Sequence, residues 1–109
     1  MALAAGPAYN ESDTPRRAHG YLGRLTGLAT ELDRHGLTTR LITPSGRIPS
    51  LHVVNPAAVR LAEDVYAGRS HDGAWWFWWP WAERIAPGDD LVAAAALIAR
   101  VLSAQEAAR

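Results

Sequence analysis

Apolar residues recur at helical spacing through the first third of the chain, with Tyr21/Leu22, Leu25, Leu28/Ala29 and Leu32 three to four positions apart before Gly36. That period predicts an amphipathic helix with one buried stripe. Asp13 or Thr14 can cap it, Pro15 suits its first turn, and Gly36 ends it. Three glycines, Gly20, Gly23 and Gly27, interrupt the helix, and each costs about 1 kcal/mol against alanine in a helix interior. They read as a frayed first half, as positions of close packing on the tryptophans, or as a smooth groove for a partner. Beyond Gly36 the period shortens to two. Leu37 to Thr43 and Ser50 to Val54 are rich in β-branched residues and flank Pro44-Ser45-Gly46-Arg47, which predicts a β-hairpin with Pro44 at the second position of its turn. Asn55-Pro56 then breaks the pattern.

The segment from Ala57 to Ala67 carries two signals. Asn55, Pro56 and Gly68 would cap, start and stop a helix, whereas a strand from about Leu61 to Ala67 could pair with the aromatic run that follows. The strand is favoured, because that run needs a neighbour to satisfy its backbone. The run itself, Gly73 to Trp81, holds all five tryptophans and the only phenylalanine. As a strand it points Trp75, Phe77, Trp79 and Trp81 to one face and Trp76 and Trp78 to the other. Pro80 marks where regular pairing stops, which predicts an edge strand or a bend. Pro87-Gly88-Asp89-Asp90 opens a second helix whose buried stripe is Leu91, Ala94/Ala95, Ile98 and Val101/Leu102.

The expected architecture is therefore α+β in the order α-β-β-β-β-α: an antiparallel sheet of about four strands with two helices on one face. Residues 1–14 read as a flexible tail, 15–105 as the single domain and 106–109 as its C-terminal end. Four strands are roughly 19 Å wide and two helices of about 10 Å cover only one side. An aromatic second face then requires another cover: the tail, a second copy, another protein or a ligand. If Trp76 and Trp78 were open, they would present roughly 300 to 500 Å² of apolar surface, near the limit for a monomer. A homodimer anchored on them is the simplest solution.

Composition removes more functions than it supplies. Acidic and basic residues number eleven each, and every basic residue is arginine. With no overall field to attract a polyanion, nucleic acid is disfavoured even though Arg40, Arg47, Arg69 and Arg84 could join the tryptophans in a stacking platform. Without cysteine there is no disulfide, thiolate nucleophile or cysteine-held metal, and without lysine no P-loop. The four histidines, His19, His35, His52 and His71, are not spaced as a metal pair. No nucleophile motif accompanies them, and Glu63, Asp64 and Glu83 read as solvated residues. The expectation is a non-enzymatic chain with no cofactor or metal. The start of the chain lacks a basic region and a long apolar run, so no secretory signal is expected and the cytoplasm is the default. The apolar run from Ala74 to Ala82 falls short of the roughly 20 residues a spanning helix needs, so no membrane role is expected.

Pro-Ser-Leu-His-Val-Val-Asn-Pro (49–56), Leu-Ala-Glu-Asp-Val-Tyr (61–66) and the stretch from Asp72 to Pro87 with the acidic helix start after it resemble a family of small uncharacterised tryptophan-rich actinobacterial proteins, over about residues 22 to 103. Members are often encoded near helix-turn-helix regulators. The resemblance implies an intracellular accessory of a transcriptional regulator and brings no catalytic residue with it. The resulting expectation is a protein-interaction module, self-associating through a surface of Trp75, Trp76, Phe77, Trp78, Trp79 and Trp81. The alternative is a small-molecule-binding protein that uses these rings as an aromatic wall. Ligand pockets need polar groups converging on such a wall, and the aromatic strand supplies none of its own.

Overall fold

The computed structural model describes residues 14–107, and side chains from 20 to 103. The expected tail up to residue 13, the Asp13 cap and the last two residues lie outside the described residues; Thr14, assigned above to the tail, already belongs to a helix. The elements are α1 (Thr14–Arg34), β1 (Thr38–Ile42), β2 (Ser50–Val54), β3 (Ala62–Arg69), β4 (Trp75–Trp78), β5 (Arg84–Pro87) and α2 (Leu91–Ala107). The fold is α+β. Its antiparallel sheet has the order β1-β2-β3-β4-β5, a meander in which each strand pairs with its sequence neighbour.

The punctuation acts as the residue types require. Gly36, at φ 79°, closes α1 through Gly36 N–H to the Asp33 carbonyl at 3.0 Å and Leu37 N–H to the Leu32 carbonyl at 3.2 Å, the double bond of a Schellman motif. In the β1–β2 turn the Pro44 carbonyl accepts from Arg47 N–H. Pro44 is thus the first residue of the turn rather than the second, and Gly46 takes the positive φ of 74°. Asn55 is buried and is not a helix cap: its Oδ1 accepts from Ala57 N–H at 2.9 Å, and its Nδ2 donates to the Leu102 carbonyl at 3.4 Å. It ties the β2–β3 loop to α2. At the other end of α2, Asp90 Oδ1 accepts from Ala93 N–H at 3.0 Å, the expected N-cap.

Both helices pack on one face of the sheet and on each other. That face carries Leu51 and Val53 of β2, Val65 and Ala67 of β3, Phe77 of β4, and Ile85 and Ala86 of β5, against Tyr21, Leu25, Leu28 and Leu32 of α1 and Ala94, Ala95, Ile98 and Leu102 of α2. A fifth strand joins the about four expected and changes the place of β4, which was expected at an edge or a bend. β4 is an inner strand, paired on one side with β3 and on the other with β5, and the edge role passes to β5, where Pro87 sits. A register shift between Phe77 and Trp78 lets Ile85 and Ala86, adjacent in sequence, both enter the core.

Candidate functional site

The aromatic strand divides its side chains as its alternation predicts, with the odd-numbered set toward the helices. Phe77 and Trp79 are core residues. Trp75, at the open end of the same row, meets Tyr21 edge-on, with ring centroids 5.2 Å apart at 77°. The Arg24 guanidinium of α1 lies 4.2 Å over the Trp75 ring, and that of Arg69, its cross-strand partner on β3, lies 5.4 Å from it. Small residues make this crowding possible. A Cβ at Gly20 would stand 3.1 Å from Trp75 Cζ2, and one at Gly88 would stand 2.8 Å from Trp75 Cβ.

On the outer face, Trp78 is only 2% exposed. Its Nε1 donates to the Gly68 carbonyl at 3.1 Å, and Gly68 is its diagonal neighbour, the residue paired with Trp76. Arg84 stands 4.5 Å from the Trp76 ring and 5.8 Å from that of Trp78. Trp81 lies beyond Pro80 in the β4–β5 turn, where Trp79 N–H donates to the Glu83 carbonyl at 2.8 Å and Ala82 takes a φ of 67°. Its ring stacks on Trp79 at 5.4 Å and 7°, its Nε1 donates to Glu83 Oε1 at 2.9 Å, and it remains 55% exposed.

Phe77, Trp78 and Trp79 are thus buried by the chain itself and present no surface, a correction to the six-residue surface expected from sequence. The reason is that neighbours of the strand, Gly68 and Arg84 on the outside and the helices on the inside, cover it on both sides. Trp75 and Trp76 are half-buried and Trp81 is exposed. Trp75 and Trp76 wall a cleft of about 400 Å³ with Ala74, Pro87, Arg24 and Asp89, floored at the β3–β4 turn by Gly73. The volume is within the range of small-molecule sites.

The electrostatics of the cleft are unusual for a surface arginine. Burial lowers the Arg24 pKa from its ordinary value, the nearby Arg69 charge lowers it further, and Asp89 offsets part of this. Arg24 Nη1 makes one long hydrogen bond, 3.4 Å, to the Gly20 carbonyl, while its Nε is buried without a partner. At the turn, Asp72 accepts from the Ser70 hydroxyl and from Ala74 N–H, and these bonds hold its carboxyl below the usual range. His71 is exposed.

Arg69 and Arg84, two of the four arginines singled out in the sequence, do reach the tryptophans. Arg40 pairs across from His52, and Arg47 is exposed in the β1–β2 turn. Arg24 was missed; its only local signal is its place one turn after Gly20 on the same side of α1. Also missed was the cross-strand pair of His52 Nδ1 and Asp64 Oδ1 at 2.8 Å, which lies on the outer face and does not line the cleft. Among the described residues no three His, Cys, Asp or Glu side chains gather as a metal site, and no helix is long and apolar enough to cross a membrane. Comparison with protein-family models, curated proteins and solved structures gives no match.

Proposed function

We propose that the chain is a non-enzymatic binding protein whose cleft, lined by Trp75 and Trp76 from opposite faces of β4, holds a flat small molecule. One observation carries this reading: polar groups that the aromatic strand lacks are brought to it from other elements, Arg24 from α1 and Asp89 from the β5–α2 corner. An apolar wall with a few convergent polar groups is the usual make-up of a ligand site. The His52–Asp64 pair stands outside it, so acid–base chemistry is not part of the proposal. The cysteine-free composition fits a reducing compartment, and we place the protein in the cytoplasm. The test uses the ¹⁵N-labelled protein and the neutral probe 2-naphthamide. The indole N–H signals of Trp75 and Trp76 are expected to shift in a saturable manner while that of Trp78 stays in place, and Trp76→Ala should abolish the response. Unchanged signals up to the solubility of the probe would refute the cleft as a flat-ligand site.

A second reading, association with another copy of the chain or with a helix-turn-helix regulator, is supported by Trp81. A large ring held by a stack and a hydrogen bond yet left 55% exposed is the type of anchor enriched at interface centres. The anchors therefore move from Trp76 and Trp78 to Trp81. Light scattering over about a hundredfold range of concentration is expected to show a dimer that Trp81→Ser dissociates. A strictly monomeric native chain would end the self-association reading.

A further inference from the structure

We infer that the ligand of the cleft is an organic monocarboxylate, its single negative charge set against Arg24 and Arg69 and its flat body against the tryptophans; this rests on the cleft being a small-molecule site. Arg24 and Arg69 converge on one ring, at 4.2 and 5.4 Å. Among the described residues the His52–Asp64 pair is the one ion pair within 4.0 Å, so neither arginine has a carboxylate partner at that distance among them. Two like charges brought together on a partly desolvated ring repel each other, and for Arg24 the contact with the Trp75 ring and the Asp89 charge offset this only in part. An anion in the cleft would supply the rest.

The geometry also fixes how Arg24 would bind. Its Nε is closed off behind Gly88, whose added Cβ would lie 3.2 Å from it, so Nε marks the cost of holding the head in place and is not the contact point. With the guanidinium over the Trp75 ring, the terminal Nη groups remain to meet the two oxygens of a carboxylate. Charge counting limits the ligand further. Arg24 and Asp89 line the cleft, and Arg69, outside the lining but 5.4 Å from the Trp75 ring, leaves one positive charge beside it. The remaining single positive charge suits a carboxylate better than a phosphomonoester dianion, which Asp89 would repel. Arg84 and Asp72, near Trp76 and the turn, offset each other.

The experiment compares 2-naphthoate, 2-naphthamide and 2-naphthylmethylammonium as probes of one shape and different charge, by calorimetry and by the indole signals, on the native chain and on Arg24→Gln, Arg69→Gln and Asp89→Asn. Naphthoate is expected to bind about tenfold or more tighter than naphthamide, as for one or two hydrogen bonds to a charged group, and the preference should shrink as salt is raised. Arg69→Gln, at an exposed position, should reduce the naphthoate-to-naphthamide preference severalfold, and Arg24→Gln should bring that ratio to about one. Asp89→Asn should strengthen naphthoate binding. Equal binding of naphthoate and naphthamide would overturn the carboxylate inference and leave the flat-ligand site standing, as would a preference for the ammonium probe. Failure of all three probes would overturn both.

Discussion

Gly88→Ala tests the packing that positions the cleft, because it places one methyl group where the structure has no room. Gly88 is buried, its N–H donates to the Trp75 carbonyl at 2.8 Å, and its φ is outside the left-handed region, so space and not backbone strain decides the outcome. The new Cβ would lie 2.8 Å from Trp75 Cβ and 3.1 Å from the Trp75 carbonyl carbon. Neither atom can rotate away, so β4 and the β5–α2 corner must separate by roughly 0.7 Å to restore an ordinary contact of about 3.5 Å. Overpacking of this kind costs about 1 to 3 kcal/mol. Gly23→Ala is the matched control. Gly23 is exposed inside α1 and a Cβ there meets nothing within 4 Å, so the substitution should stabilise by the helix-propensity difference of about 1 kcal/mol. The two variants should thus differ by about 2 to 4 kcal/mol in urea unfolding followed by circular dichroism, on the order of 10 to 30 °C in Tm. Gly20→Ala should fall between them, its propensity gain offset by the 3.1 Å approach to Trp75. A Gly88→Ala protein within about 0.5 kcal/mol of the native chain would refute the packing argument.

Trp78→Phe removes the donor to the Gly68 carbonyl and leaves a void on the outer face; a loss of about 1 to 3 kcal/mol is expected in the same urea assay, and no loss would contradict the burial of that ring. Asp90→Ala should cost about 1 kcal/mol through the lost cap on α2, whereas Asp89→Ala, which does not cap, should leave the unfolding midpoint nearly unchanged. The depressed pKa of Asp72 gives a pH dependence with a definite sign: its folded value lies below its unfolded one, so its contribution is present above the ordinary carboxylate range and is lost as pH falls through the folded value. Asp72→Asn should therefore flatten the acid limb of the stability profile, and superimposable limbs would show that the turn bonds do not favour the charged form.

The helices were legible because their signals are local. The stripe of α2 and the Asp90 cap are adjacent in sequence, and Ala94, Ala95, Ile98 and Leu102 are buried as their spacing requires. β3 could be read once the backbone needs of the aromatic strand were counted, although Asn55-Pro56 imitates a helix start; the buried Asn55 spends its side chain on a turn and on α2 instead. The segment from Trp81 to Ala86 reads as irregular or a further extended piece and not as a definite strand, because Arg84-Ile85-Ala86-Pro87 shows no alternation. Its two adjacent buried residues follow from the shift opposite Phe77/Trp78, which only the paired strand reveals. The cleft was illegible for the same kind of reason. Arg24, Trp75, Trp76 and Asp89 share no motif, and they meet through the packing of α1 and the β5–α2 corner beside β4.

The outer face shows why counting strands and helices overestimated the exposed aromatic surface. Two tryptophans there would ordinarily bury 150 to 250 Å² each only under another layer, and among the described residues no helix packs on that side. Gly68 changes the count. β3 leaves the strand position diagonal to Trp78 without a side chain, and the indole turns its N–H onto the Gly68 carbonyl. Arg84 then sets its guanidinium over both outer rings, at 4.5 and 5.8 Å. A lysine could do less of this, since its ammonium is compact and strongly hydrated while a guanidinium stacks. One glycine and one arginine thus account for the burial of Trp78 within the chain, and among the described residues Trp81 is the tryptophan left exposed.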